Sequence, residues 1–350
     1  MQKRRIAIIG LGWIGYHHAQ LAMASEEFEL VAVSDPCEAA RTLALQLDRP
    51  IYSDYLELLN SQQLDAVVVA TPTGLHVPVG IECAQAGLHL LVEKPIADGC
   101  AEALRLVEAA ETSGVQLLVG HYRRFNRAVE AARDLVQSGR IGRLVGVSGL
   151  WALFKEPAYF EPEWRRKPGA GPVLTNLIHD IDCLRYICGE IRSVQSITST
   201  AVRGHQVEDS AAVILQFSNG ALGTFLVSDA ALSPWGYEAA TGDNPDLYAS
   251  GENCVYFVGS EGCFAFPELR IWRNSDPQKI GWRHPIQPEP RSEELFKGEF
   301  DPFAAQLSHF RRVIDGLEPP RVNGRDGLQS LAVTRAVLEA GNNPGLVVAA

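Results

Sequence analysis

Two short stretches carry side chains that can move a proton or steady a developing charge. In HLLVEKPIADG, residues 89–99, an apolar run ends at Val92 and gives way to Glu93, Lys94 and Pro95. In WRRKPGAGPVLTNLIHDIDCLRYICGE, residues 164–190, Thr175, His179, Asp182 and Tyr186 recur at a 4-3-4 spacing. That spacing stacks them on one side of a helix, while Leu177, Ile178, Ile181, Leu184 and Ile187 supply its apolar face. Thr175, shortly after Pro172, is expected to be the helix N-cap. A neutral imidazole can take a proton from an alcohol near neutral pH. An ammonium can hydrogen-bond an oxygen as that oxygen gains charge. A polar stripe holding a histidine, on a helix otherwise packed in a core, should face a cleft; the alternative is a solvated face.

The elements that must position Lys94 alternate in the first third of the chain. RRIAIIG (4–10), FELVAVSD (28–35), LDAVVVATP (64–72), LHLLVEKP (88–95) and VQLLVGH (115–121) read as strands, with helical stretches between them. Such alternation means βαβ crossovers and a parallel sheet. Ligands bind beyond the carboxyl ends of parallel strands. Thr71, Pro72, Thr73 and His76, then Glu93–Lys94–Pro95, then His121–Tyr122–Arg123 should therefore share that edge.

Gly10, Leu11, Gly12, Trp13, Ile14 and Gly15 follow the first strand and open the first helix. In this G-x-G-x-x-G spacing Gly10 makes a tight turn, Gly12 lets a pyrophosphate approach the backbone, and Gly15 lets helix and strand pack closely. The helix N-terminus offers its unpaired N–H groups to phosphate. Asp35 ends the second strand, where a carboxylate hydrogen-bonds a ribose 2′-hydroxyl and repels a 2′-phosphate, so NAD is expected over NADP. Arg41 could reach a phosphate and keeps NADP as the lesser alternative. The bland reading is three glycines in an ordinary turn, with Asp35 capping a helix.

The remainder reads differently. DSAAVILQF (209–217) and ALGTFLVSDA (221–230) flank Ser218-Asn219-Gly220, a strong hairpin signal. VYFVGSEGCFAF (255–266) suggests another hairpin, so a mostly antiparallel, open-faced sheet is expected. Residues 233–253 are too polar and Gly/Pro-rich for a core element and suggest a functional loop, with Trp235, Tyr237 and Glu238 as substrate contacts. Residues 302–316 and 325–341 look helical and are expected to pack back towards the first domain. The division predicted is residues 1–122 as a dinucleotide-binding domain and residues 123–350 as a substrate-binding and oligomerisation domain.

Length and composition set outer limits. The 350 residues suggest two domains. A net charge of −11 argues against nucleic acid or an anionic membrane as partner. No apolar run approaches the ~18 residues of a membrane span, and the chain is expected in the cytoplasm. The seven cysteines, without a C-x-x-C pair, read as reduced thiols. None of the nine histidines forms an H-E-x-x-H pattern, and no metal site is expected.

Together GLGWIG, ATPTGLH, EKP, HYRRFN and GPVLTNLIHDID resemble the glucose–fructose oxidoreductase / inositol dehydrogenase (Gfo/Idh/MocA) family. The resemblance implies a Rossmann domain, a second α/β domain with an open sheet, and sugar, polyol or inositol substrates. It implies that Lys94 and His179 match the catalytic lysine and histidine, and that Lys94–Pro95 is a candidate cis peptide. Trp164 and Arg165 match a W-R pair near the nicotinamide side; the plainer reading is an aromatic packed under an arginine. Many members carry an aspartate four residues before the histidine. Here that position is Thr175, and the neighbouring Asn176 would offer a neutral hydrogen bond instead.

The pair suits oxidation of a secondary alcohol, with His179 as base and Lys94 on the alcohol oxygen. Glu93 either orients Lys94 or accepts from backbone N–H groups. Asp182 either orients His179 or bonds solvent. Tyr122, Arg124 and Asn126 open the second domain and could close over substrate or cofactor. The expected activity is an NAD-dependent dehydrogenase acting on a small polyhydroxylated substrate, assembled as a homodimer or homotetramer through the second sheet. The alternatives are a dihydrodiol dehydrogenase on the same fold, or a non-catalytic NAD-binding sensor.

Overall fold

The computed structural model describes residues 2–244, 246–274, 276–290, 300–343 and 346–349. The chain divides into two compact units, Met1–Tyr122 with Pro302–Leu331, and Arg123–Asp301 with Ala332–Ala350.

In the first unit β1 (Arg4–Ile9), α1 (Trp13–Ala24), β2 (Phe28–Ser34), α2 (Glu38–Leu47), β3 (Ile51–Tyr52) and α3 (Tyr55–Ser61) come first. Then follow β4 (Ala66–Val69), α4 (Thr73–Gln85), β5 (His89–Val92), α5 (Cys100–Ser113) and β6 (Leu117–Val119). The strand order is β3-β2-β1-β4-β5-β6, every pair parallel. The order reverses between β1 and β4, and such a switch point opens a crevice at the carboxyl ends of the strands. All four residues of β4, AVVV, are buried, as a strand covered on both faces by crossover helices must be.

In the second unit α6 (Arg127–Gln137) leads into β7 (Leu144–Ala152), and a π turn (Val173–Leu177) runs into α7 (Ile178–Cys188). The hairpin partners β8 (Ile191–Ser199), β9 (Ser210–Phe217) and β10 (Leu222–Ser228) follow, then α8 (Tyr237–Thr241). The strands β11 (Val255–Gly259), β12 (Gly262–Phe266), β13 (Ile271–Arg273) and β14 (Gln287–Pro288) extend the sheet. Its order is β14-β13-β12-β11-β7-β10-β9-β8-β15, where β15 is Val348–Ala349. Among the described residues of this sheet only β7 and β10 pair in parallel; the Asn-Gly hairpin joins β9 and β10 as its sequence predicts. Strict alternation along β9 places Ala211, Val213, Leu215 and Phe217 in the core and leaves Ala212, Ile214 and Gln216 outward.

The last helices are divided between the two units. α9 (Pro302–Ile314) belongs to the first unit, where Leu307, Phe310 and Val313 join the core of Ile6, Ile8 and Phe28. α10 (Gly324–Asn342) begins in the first unit, its Gly324 and Gly327 lying close against Leu117 and Val119. Its later residues Val333, Ala336, Val337 and Ala340 belong to the second core. Apolar residues on α9 thus tie this helix to the first unit by packing. Among the described residues no helix is long and apolar enough to cross a membrane.

Candidate active site

The glycine turn after β1 is shaped by contact. Gly10 has φ +93, a conformation that favours glycine, and a Cβ there would stand 2.5 Å from the Ala70 carbonyl oxygen. At Gly15 a Cβ would meet the Gly10 carbonyl oxygen at 1.9 Å, so only glycine lets α1 lie this close. A Cβ on Gly12 would meet nothing within 4 Å, so this side of the turn is open. The first turn of α1 carries no acidic residue and no side-chain cap. Open backbone N–H groups, an open approach at Gly12 and the positive end of the helix fit a pyrophosphate. Trp13 is exposed and Ile14 packs against the core.

Asp35 closes the turn from the second strand. Its Oδ2 accepts from the Leu11 N–H at 2.7 Å and its Oδ1 from the Cys37 N–H at 2.8 Å. Two backbone donors thus fix the carboxylate beside the glycine turn. Thr71, just beyond β4, holds a buried hydroxyl with no hydrogen-bond partner among the described residues. Pro72 stands at the N-cap of α4.

At the end of β5 the Lys94–Pro95 peptide is cis. Glu93 is buried beneath it: Oε1 accepts from His18 Nε2 at 2.8 Å and Oε2 from the Lys94 N–H at 3.1 Å. Burial pushes the Glu93 pKa up, but the His18 hydrogen bond and the Lys94 ammonium outweigh it and hold the group below its usual value. The carboxylate occupies space that Gly120 leaves, since a Cβ there would lie 2.8 Å from it. His18 was not singled out by its sequence context, although it shares the buried face of α1 with Gly15, Ala19 and Ala22.

His76, expected at the cofactor, lies between two loops. Its Nδ1 lies 2.8 Å from the Pro95 carbonyl oxygen and its Nε2 2.8 Å from that of Thr71. Burial pushes its pKa down, while the two carbonyls, which can only accept, act in the opposite direction. With both nitrogens turned to backbone, the ring supports the turn that presents Lys94. Tyr122 stacks on Phe303 of α9, ring centroids 3.9 Å apart.

In the second unit, the helix carrying His179 starts earlier and differently than expected. Thr175 lies inside the π turn, whose N-cap is Pro172. The Thr175 hydroxyl lies 2.9 Å from the Gly171 carbonyl oxygen and 2.8 Å from Asn176 Oδ1, so it is not an N-cap. His179 is buried on α7. Asp182 neither faces solvent nor stands as a lone carboxylate: its two oxygens accept from Arg124 Nε at 2.8 Å and Nη2 at 2.7 Å. Both partners are buried. Arg124, expected at the substrate, thus neutralises Asp182, and its guanidinium lies over Tyr186. Asn126 caps α6 through Oδ1 and donates to Asp243 through Nδ2.

A second buried cluster lies beside this pair. Arg123 bonds Asp180 at 3.1 Å and Glu238 at 2.5 Å, and Trp151 Nε1 donates to Glu238 at 2.8 Å. Burial pushes Asp180 up to about 7 despite Arg123. Burial also acts to raise Glu238, but Arg123 and the Trp151 hydrogen bond hold it low. Tyr237 is 3% exposed, lies under Arg123 and donates to Asp243 at 2.7 Å. The polar segment 233–253, of which Pro245 lies outside the described residues, therefore sends α8 into the core. Its composition hid this because Arg123 supplies the charge that its acidic residue needs. Of the expected substrate contacts, Tyr237 is buried, Glu238 is half-buried and accepts from Arg123 and Trp151, and Trp235 keeps 43% of its surface exposed. Arg165 stacks on Tyr159 at 4.1 Å and donates to its carbonyl at 2.8 Å, while Trp164 is 59% exposed. Among the described residues no group of three or more His, Cys, Asp or Glu is arranged to hold a metal ion.

Comparison with known proteins agrees with this architecture. Residues 4–121 match the family model for the oxidoreductase family with NAD-binding Rossmann fold, and residues 129–265 match the GFO/IDH/MocA C-terminal domain. The chain is 29% identical over 338 residues to myo-inositol 2-dehydrogenase of Thermotoga maritima, covering 93% of each. It is 30% identical over 343 residues to the uncharacterized oxidoreductase YrbE of Bacillus subtilis, covering 95% of this chain and 93% of that one. The fold is also that of the WlbA dehydrogenase from Bordetella pertussis, solved with NADH and UDP-GlcNAcA: TM-score 0.79, 24% identity, 100% of this chain and 99% of that one. The glycine turn fitted for a dinucleotide, the cis Lys94–Pro95 turn and two matched domains in sequence order place this chain in the Gfo/Idh/MocA family of NAD-binding oxidoreductases.

Proposed function

We propose that the protein is an NAD-dependent dehydrogenase that oxidises a secondary alcohol of a sugar, polyol or inositol. NAD, when bound, supplies the hydride acceptor. The open turn at Gly12 and the N-terminus of α1 take the pyrophosphate, and Asp35 takes the ribose hydroxyls. His179 removes the hydroxyl proton, and the Lys94 ammonium hydrogen-bonds the same oxygen as charge builds there. The observation that carries this reading is the support under Lys94. A buried carboxylate, itself held by His18, anchors the Lys94 backbone at the carboxyl end of β5. The inositol dehydrogenase among the relatives supports the substrate class. The test is purified protein with NAD and a panel of inositols, hexoses and polyols, followed by NADH absorbance. Turnover of at least one is expected; NAD binding without turnover of any would overturn the reading.

The outer face of the second sheet supports self-association. Ile197, Ile214, Leu222, Leu226, Tyr256 and Val258 are exposed there, and a groove of about 530 Å³ runs along β8, β9 and β10. An apolar face of this kind is a liability for a monomer. A homodimer or homotetramer is the expected mass in solution scattering; a monomer at micromolar concentration would count against it.

A further inference from the structure

The amide of Asn176 has a fixed orientation. Lys155 Nζ donates to Asn176 Oδ1 at 2.9 Å, and the Thr175 hydroxyl lies 2.8 Å from the same oxygen. A lysine ammonium has donors only, so the carboxamide cannot turn its NH2 towards it. Lys155 is itself held in place. Its backbone N–H donates to the Asp229 carbonyl at 2.9 Å, its ammonium stands 3.7 Å from Asp229 Oδ2, and it lies 4.7 Å from the Tyr159 ring centroid. Asp229 in turn is fixed by Arg203 Nε at 2.9 Å. Asn176 Nδ2 consequently points away from Lys155. It has no hydrogen-bond partner among the described residues, and Asn176 is only half-buried. Three residues further along the helix is His179.

We propose that Asn176 is a specificity-determining residue, with Lys155 as its positioning residue. Together they select a substrate that carries an acceptor-only group, a carboxylate or an amide carbonyl, near the reacting hydroxyl. This rests on the dehydrogenase reading for the identity of the site. A carboxylate beside the base would accept from a neighbouring hydroxyl of a neutral polyol. An amide locked with its NH2 outward donates instead, and its bond to a carboxylate or acyl oxygen is stronger than to a hydroxyl. The neighbouring ammonium reinforces that donor, and Asp229 partly offsets it.

The test uses the NADH-loaded full chain with glucuronate, N-acetylglucosamine and glucose as probes, measured by calorimetric binding and by NADH formation with the NAD-loaded protein. At least one of the first two is expected to bind about tenfold more tightly than glucose, equivalent to about 1.4 kcal/mol. The arm that binds distinguishes a carboxylate from an acyl carbonyl. Asn176→Asp, close in shape and able to pair with Lys155, should reverse the preference. Lys155→Met should bring the ratio near unity by freeing the amide, and Lys155→Arg should restore it. Binding of none of the three probes, glucose bound as well as the others, or an unchanged ratio in Asn176→Asp overturns the proposal. Turnover without a preference would remove this inference and leave the dehydrogenase; a preference in binding without turnover of any alcohol would do the reverse.

Discussion

His18 Nε2 lies 2.8 Å from Glu93 Oε1, and both side chains are buried. The pair joins the first helix after the glycine turn to the turn that carries Lys94. Removing one partner leaves a buried charge unpaired, at a cost of about 3 kcal/mol. His18→Leu is therefore expected to lower the melting temperature by several degrees and, by loosening the Lys94 turn, to reduce kcat. Thermal unfolding and steady-state rates on the same preparation check both; an unaltered melting temperature would show that Glu93 needs no partner.

Lys94 itself should matter to chemistry more than to folding, because the buried carboxylate takes its backbone N–H, which any residue provides. Lys94→Ala is expected to cut turnover by about 10²- to 10³-fold while leaving NAD affinity nearly unchanged. Rates paired with NAD titration by fluorescence decide it. A loss of only a few-fold would remove Lys94 from the reaction.

Asp35 holds two backbone N–H groups as well as the position expected for ribose recognition. A serine can replace neither both acceptors nor the charge. Asp35→Ser should therefore weaken NAD about tenfold, in line with loss of one charge-assisted hydrogen bond, and shift the ratio of kcat/KM for NAD over NADP towards NADP. An unchanged ratio would place the ribose elsewhere.

What could be read from the sequence follows from how local each signal is. The glycine turn, the cis Lys94–Pro95 peptide and the Asn-Gly hairpin are encoded within a few neighbouring residues, and all three occur where expected. The partners of charged side chains are not local. Asp182 and Arg124 lie 58 residues apart in the chain, and Arg123 and Glu238 lie 115 apart. A carboxylate on a helix reads as solvated until the arginine that covers it is known. His18 was accessible by a stricter argument: it shares a helix face with Gly15, Ala19 and Ala22, which pack inward, and a histidine there must find a buried partner. Lys155 has no such signal. Its importance arises only once the π turn brings Asn176 to its ammonium.

Asp180 gives the second unit a pH-dependent stability. It bonds Arg123, which it shares with Glu238, and burial pushes its pKa up to about 7. An unfolded aspartate releases its proton near 4. Between about 4 and about 7 the folded chain holds a proton that the unfolded chain has lost, so this group's contribution falls as pH rises through that window and levels off above it. Asn keeps an oxygen for Arg123 and has no charge to bury. Asp180→Asn should therefore raise the melting temperature more at about pH 8 than at about pH 5, a difference worth on the order of 2 kcal/mol. Differential scanning calorimetry at the two pH values reads it directly. An equal shift at both would mean that Asp180 is ionised in the fold at low pH as well, with Arg123 compensating its burial in full.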